Sequence, residues 1–200
     1  AVNVAVEGQA DSVSAGVYKM RDGQISTPPV FTNRGQGQLW VTSISRGSPA
    51  SAPPPASDGM TAMKQLWTPG GQAIDGTNFR QGDRLIVAIT VGASEMRKTP
   101  LVVADLLPAG FEIDNPNLIR GGDIAALDWL STVDTTRTTE FRQDRFLAAL
   151  DWYGSEPFRL AYIVRAVSPG TFRLPAASVE DMYRPDYRAR SETGTVTITE

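Results

Sequence analysis

The chain has 200 residues, 41% of them hydrophobic and 20% charged, which is enough apolar material to build a real core in one or two domains. A formal net charge of −3 gives no dense cationic footprint of the kind nucleic acid requires. There is no cysteine and no histidine, so disulfides, a thiolate nucleophile, a thioester, Cys-ligated zinc and a Ser-His-Asp triad are excluded within these residues, and no cofactor or metal is expected.

Taken in chain order, the elements read as strands. "AVNVAVEG" alternates with period two, and "SAGVYKM" and "QISTPPVFT" flank a hairpin signal at "RDGQ". The start, "AVNVAVEGQA", has no basic region and no initiator Met, so it reads as a mature or excised fragment with no signal peptide. "NRGQGQL" holds a Gly-x-Gly, but no helix follows to make a phosphate cradle, so it is expected to be a hairpin. "GQLWVTSIS" (37–45) alternates again, which predicts another strand. "RGSPASAPPPASDG" (46–59) holds four prolines and no large apolar residue, and it reads as an extended linker. The expected organisation is therefore a β domain over 1–50, a Pro-rich linker over 51–59 and a β-sandwich domain over 60–200.

Beyond the linker, strands are predicted in "MTAMKQLWT" (60–68), "DRLIVAITV" (83–91) and "TPLVVADLL" (99–107). "DIAALDWL" (123–130) carries Ile124, Leu127 and Leu130 at helical spacing and is the only helical candidate. "EFRQDRFLAALDWY" (140–153) reads as two extended pieces joined at Gln143-Asp144, with Phe146, Ala148 and Leu150 on one face. "PFRLAYIVRAV" (157–167) puts Phe158, Leu160, Tyr162 and Val164 together, "SPGTF" is a tight turn, and "GTVTITE" is the last strand. About seven strands at this spacing imply an all-β fold, an antiparallel sandwich, with too little helix for an α/β domain. No apolar run approaches the ~20 residues that span a bilayer.

"VVADLLPAGFEIDNPNL" (102–118) resumes an apolar strand after Leu-Pro-Ala-Gly. Pro108 ends the strand at Leu107, Gly110 permits positive φ, and Phe111 and Ile113 re-enter the core while Glu112 faces out. That predicts a strand changing sheets at a sandwich edge, followed by a turn at "DNPN". The oxygen-rich "EIDNPN" lacks the ligand spacing of a calcium loop. Asp105 with Glu112, and Glu140 with Asp144, are the carboxylate pairs to weigh against glycosidase chemistry, but nothing in the sequence brings either pair to the required ~5–10 Å. Arg184, Arg188 and Arg190 form the one basic cluster and read as a solvated strand end rather than an anion site. In "VEDMYRPDYRARS" (179–191), Met and two tyrosines fall on a surface loop, where they suit either an interface or a loop folded back on its own sandwich.

The motifs "GDRLIVAITV", "VVADLLPAGFEIDNPNL", "EFRQDRFLAAL", "LAYIVRAVSPGTFRLPAASVEDMYRP" and "GTVTI", in that order over residues 60 to 198, resemble the C-terminus of bacterial alpha-2-macroglobulins. "FTNRGQGQLWVTSISRG" resembles the second half of that family's CUB domain. The resemblance implies a fold and a role: a CUB remnant, then the last macroglobulin-like sandwich, in a periplasmic, lipid-anchored, broad-spectrum protease trap that captures its attacker through a thioester. It implies a non-catalytic module whose partners are the thioester domain of the same polypeptide and, through the intact protein, target proteases. Met182 and Tyr183 are the implied shielding residues, with Tyr187 a further candidate and Arg184 fixing the loop. The alternative reading is a secreted, adhesin-like sandwich that binds sugar or protein; a Cys-x-Glu-Gln motif upstream in the intact gene would separate the two.

Overall fold

A computed structural model describes residues 3–6, 13–14, 30–38, 40–42, 44, 51–93, 97–114, 130, 136–154 and 156–200. The chain divides into two compact units, Ala1–Ser48 and Pro49–Glu200. In the first, β1 (Asn3–Val6) lies between β2 (Val13–Ser14) and β3 (Phe31–Asn33) in an antiparallel sheet. The predicted hairpin at 21–24 lies outside the described residues. The strand predicted over 37–45 is not found: Trp40 to Thr42 and Ile44 are not in a strand, and Leu39, Ser43 and Ser45 lie outside the described residues. Trp40, Val41 and Ile44 are all exposed, so their alternation serves no buried face. The Gly-x-Gly of 35–37 is a bend rather than a hairpin, closed by the Asn33 side chain, which accepts from the Gly35 N–H at 2.9 Å and donates to the Gly37 carbonyl at 2.7 Å.

The second unit begins with β4 (Ala56–Asp58), β5 (Met60–Trp67), β6 (Ala73–Ile74), β7 (Asn78–Arg80) and β8 (Arg84–Ala93). It continues with β9 (Arg97–Leu106), β10 (Phe111–Ile113), β11 (Thr136–Phe141), β12 (Arg145–Gly154) and β13 (Phe158–Ala166). It ends with β14 (Gly170–Leu174), β15 (Ala177–Asp181), β16 (Arg188–Arg190) and β17 (Gly194–Thr199). A five-stranded sheet runs β10-β13-β8-β5-β6 and a six-stranded sheet runs β11-β12-β9-β15-β16-β4, both antiparallel. A small sheet, β14-β17-β7, adds a parallel pair, β17 with β7. No described residue is helical; the helical candidate at 123–130 falls outside the described residues except Leu130, and the turn predicted at 114–117 does so except Asp114.

The two large sheets share one core because each strand offers it every second side chain. β12 buries Phe146, Ala148, Leu150 and Trp152, and β13 buries Phe158, Leu160, Tyr162 and Val164. The Phe146 and Tyr162 rings stack across the interface at 4.6 Å between centroids. Phe79, Val196 and Ile198 of the small sheet complete the same cluster. Strands are more numerous than the seven predicted because short edge strands such as β4, β6, β7 and β16 carry no readable alternation.

Three local expectations change. The Pro-rich stretch ends in β4, which pairs with β16 from Ala56 to Asp58; its prolines stop at Pro55, so nothing prevents the next residues from bonding at the sheet edge. "SPGTF" is not wholly a turn, because Gly170 (φ +146°) already opens β14. The strand before Pro108 ends at Leu106, one residue early, although the Leu107 N–H still donates to its in-register neighbour on the β12 side, the Asp144 carbonyl, at 2.9 Å. The chain does change sheets there, from β9 in the six-stranded sheet to β10 in the five-stranded one, with Phe111 buried and Glu112 exposed. Gly110 does not work through positive φ. A Cβ on it would lie 2.4 Å from the Phe172 ring and 2.7 Å from Ile198 Cδ1, so it is glycine to let the small sheet close over the corner.

Candidate functional site

The loop between β15 and β16, residues 182 to 187, leaves the six-stranded sheet for a physical reason. β15 pairs with β9 up to Asp181 opposite Leu101. The next residue, Met182, donates its N–H to the Pro100 carbonyl at 3.0 Å, but Pro100 has no N–H to return. The ladder stops, and the chain lifts away at Met182.

Asp181 then holds the loop from below. Its carboxylate is buried, 1% exposed. Oδ1 accepts from the backbone N–H groups of Tyr183 at 2.9 Å and Arg184 at 3.1 Å. Oδ2 accepts from the Thr99 hydroxyl at 2.5 Å and from Arg184 Nε at 2.9 Å, and Arg184 adds an ion-pair contact at 2.8 Å. Burial pushes this carboxyl up, but the Thr99 hydroxyl, the two N–H groups and the Arg184 guanidinium together hold it below the usual carboxylate range. At the far end, the Tyr187 N–H donates to the Arg184 carbonyl at 2.8 Å, and the Asp181 N–H donates to the Tyr187 carbonyl at 3.0 Å. The sequence singled out neither Asp181 nor Thr99. The available signal was the Asx habit of bonding backbone N–H groups two and three residues ahead, which suits an Asp at a strand end before Met-Tyr-Arg.

The four candidate side chains separate into two kinds. Tyr187 packs against the core, its ring filling the space above Gly59 (φ +72°), where a Cβ would stand 2.6 Å from Cδ1. The Arg184 guanidinium lies 5.2 Å from the centre of that ring. These two brace the loop. Met182 and Tyr183 point outward, 46% and 82% exposed. The result is an apolar side chain and an aromatic ring held in water on a stiff base, which favours contact with another surface.

The other sequence candidates do not assemble chemistry. Asp105 lies inside the sandwich and Glu112 faces solvent from the other sheet, because they flank the crossing corner. Asp105 accepts from Lys64 Nζ and the Tyr162 hydroxyl, each at 2.7 Å, and Lys64 also donates to the Pro175 carbonyl at 2.5 Å. Burial raises the Asp105 carboxyl, against Lys64 and Tyr162, which lower it, and burial with the adjacent Asp105 pushes the Tyr162 phenol well above its ordinary value. Glu140 and Asp144 are paired with Arg142 and Arg145, each at 2.6 Å. Arg188 meets Asp58 at 3.2 Å and Arg190 Nε donates to the Pro54 carbonyl at 3.1 Å, so with Arg184 on Asp181 the basic trio braces its own edge. Asp114, first of the oxygen-rich turn, is held by Arg84 at 2.6 Å and by Arg165. No helix among the described residues is long and apolar enough to cross a membrane.

Comparison with known proteins places this geometry. The family description "Bacterial Alpha-2-macroglobulin MG10 domain" matches residues 59–186. Alpha-2-macroglobulin of Escherichia coli K12 is 36% identical over 166 residues, covering 79% of this chain and 10% of that protein. The crystal structure of Salmonella alpha-2-macroglobulin reacted with methylamine superposes with a TM-score of 0.76 at 32% identity, over 100% of this chain and 13% of that one. Escherichia coli alpha-2-macroglobulin activated by porcine elastase superposes with a TM-score of 0.64 at 32% identity, over 77% of this chain and 14% of that one. The chain spans about a tenth of the length of the curated relatives it matches.

Proposed function

The chain belongs to the bacterial alpha-2-macroglobulins, whose MG10 domain it carries, and from that premise we propose that its β15–β16 loop is a dry cap over a thioester held on another domain of the same polypeptide. The module itself does no catalysis. These 200 residues contain no cysteine, so the thioester must be supplied from elsewhere in the polypeptide. An activated acyl group persists in water only where apolar and aromatic side chains exclude it, and Met182 and Tyr183 are the side chains this fold offers outward for that purpose. The intact protein, on this reading, is a periplasmic trap of broad specificity: cleavage by a protease shifts the cap, and the uncovered acyl group captures the attacker.

What carries the reading is the 82% exposure of Tyr183 on a loop that Asp181 holds rigid from a buried position. Two relatives support it in their own terms, one having been activated by elastase and one reacted with methylamine, a small amine able to attack an acyl carbon and release its thiol. The module should be inert by itself. The 200-residue chain, mixed with elastase or trypsin, is expected to leave protease activity unchanged; inhibition by it would overturn the modular reading. In the intact protein, Tyr183→Ala is expected to raise the rate of reaction with methylamine, and an unchanged rate would remove the capping role.

A further inference from the structure

We propose that Asp75–Gly76 is a site of spontaneous backbone modification, where the folded chain closes to a succinimide and reopens as isoaspartate. Aspartate followed by glycine is the pair best suited to this closure, because a residue without Cβ leaves its amide nitrogen open to the carboxyl before it. The sequence holds three such pairs, Asp22–Gly23, Asp58–Gly59 and Asp75–Gly76. The first lies outside the described residues. The structure treats the other two differently.

Asp58–Gly59 is locked. Asp58 is the last residue of β4, where it is paired in register with Arg188, and its carboxylate accepts from Arg188 Nε at 3.2 Å. Gly59 bridges to Arg188 as well and lies under the Tyr187 ring. Bringing the Asp58 carboxyl onto the Gly59 nitrogen would break that pairing where β4 passes into β5. Asp75–Gly76 is open. Both residues are exposed and lie in no strand, between β6 and β7. No hydrogen bond or ion pair ties either to a described residue. A Cβ placed on Gly76 would meet nothing within 4 Å. The flanking residues are fastened: the Ile74 carbonyl accepts from Gln65 Nε2 at 2.9 Å, and the Thr77 carbonyl accepts from the Thr197 N–H at 2.7 Å. The motion that closure requires therefore falls on two residues with no native bond to lose, while the five-stranded sheet on one side and the small sheet on the other stay intact.

The Gly76 amide nitrogen attacks Asp75 Cγ. An N–C bond forms, the carboxyl C–OH bond breaks, and the hydroxyl leaves with the amide proton as one water. Water then returns to either carbonyl of the five-membered ring. Addition at Cγ restores aspartate. Addition at the former backbone carbonyl gives isoaspartate, with Cβ now in the main chain and the α-carboxylate as the side group. Composition is unchanged and one atom is added to the backbone, which the tethers at Ile74 and Thr77 confine to the connection between the sheets.

The test ages the intact polypeptide at neutral pH and body temperature, folded and in urea, and locates isoaspartate by electron-transfer fragmentation of the peptides. In the folded protein isoaspartate is expected to accumulate at Asp75 several-fold faster than at Asp58. In urea the Asp58 rate should rise toward that of Asp75. Gly76→Ala, which the open space accommodates, should slow the Asp75 reaction several-fold and leave Asp58 as it was. Should that variant fail to fold, Asp75→Glu, which would need a six-membered ring, should abolish the signal at residue 75. No isoaspartate at Asp75 in the folded protein, or equal rates at Asp58 and Asp75, would overturn the proposal, as would a signal indifferent to these substitutions.

Discussion

At the residue scale, two buried carboxylates carry opposite signs of pH dependence. Asp181 is held below the usual carboxylate range, so its stabilisation is present above about pH 4 and is lost as pH falls through its native value. Asp105 is raised by burial, so its share is fullest below about pH 4 and shrinks as pH climbs through its native value. Asp181→Asn should therefore flatten the loss of stability in acid, which denaturant melts between about pH 3 and 6 would read; an unchanged acid limb would contradict the assignment. Asp181→Ala would leave the Thr99 hydroxyl and the Arg184 guanidinium without their shared acceptor, at a cost of about 3 kcal/mol in urea unfolding. Lys64→Met would strand the buried Asp105 at about 3–5 kcal/mol, while Lys64→Met with Asp105→Leu would recover most of that loss. Equal losses in the single and double variants would show that the pair is not what matters there.

At the element scale, the corner at residues 107 to 110 is where a whole strand is handed from one sheet to the other. Gly110→Ala would press a methyl into the Phe172 ring and cost about 1–3 kcal/mol, seen as a drop of several degrees in Tm. A Tm unchanged within a degree would contradict the packing account. The crossing itself was legible in the sequence, because Leu-Pro followed by Gly-Phe-x-Ile encodes a stop, a swing and a re-entry into the core. The reason for the glycine was not, because Phe172 and Ile198 lie about sixty and ninety residues further along the chain. Long alternating strands such as β12 and β13 declared themselves by period. β4 did not, since three residues after a run of prolines carry no period, and its pairing depends on Arg188–Arg190 far downstream. In the loop, Met182 and Tyr183 could be picked by composition and resemblance. Asp181 and Thr99 could not, because their contact joins two strands 82 residues apart.

At the scale of the whole molecule, the sandwich of Pro49–Glu200 has its own core and holds Met182 and Tyr183 outward from it. Pro49–Glu200 forms a separate compact unit, so a chain shortened to those residues should keep a single cooperative melt within a few degrees of the full 200 residues. Loss of that transition on removing Ala1–Ser48 would show that the division is not one of stability. The capping account is tested most directly by the rate at which methylamine releases a free thiol from the intact protein in three forms: unchanged, Tyr183→Phe and Tyr183→Ala. If the Tyr183 ring and not its hydroxyl excludes water, as proposed, Phe should match the unchanged protein while Ala reacts about tenfold faster or more, the weight of at least 1.4 kcal/mol of lost shielding. Three equal rates would contradict the account.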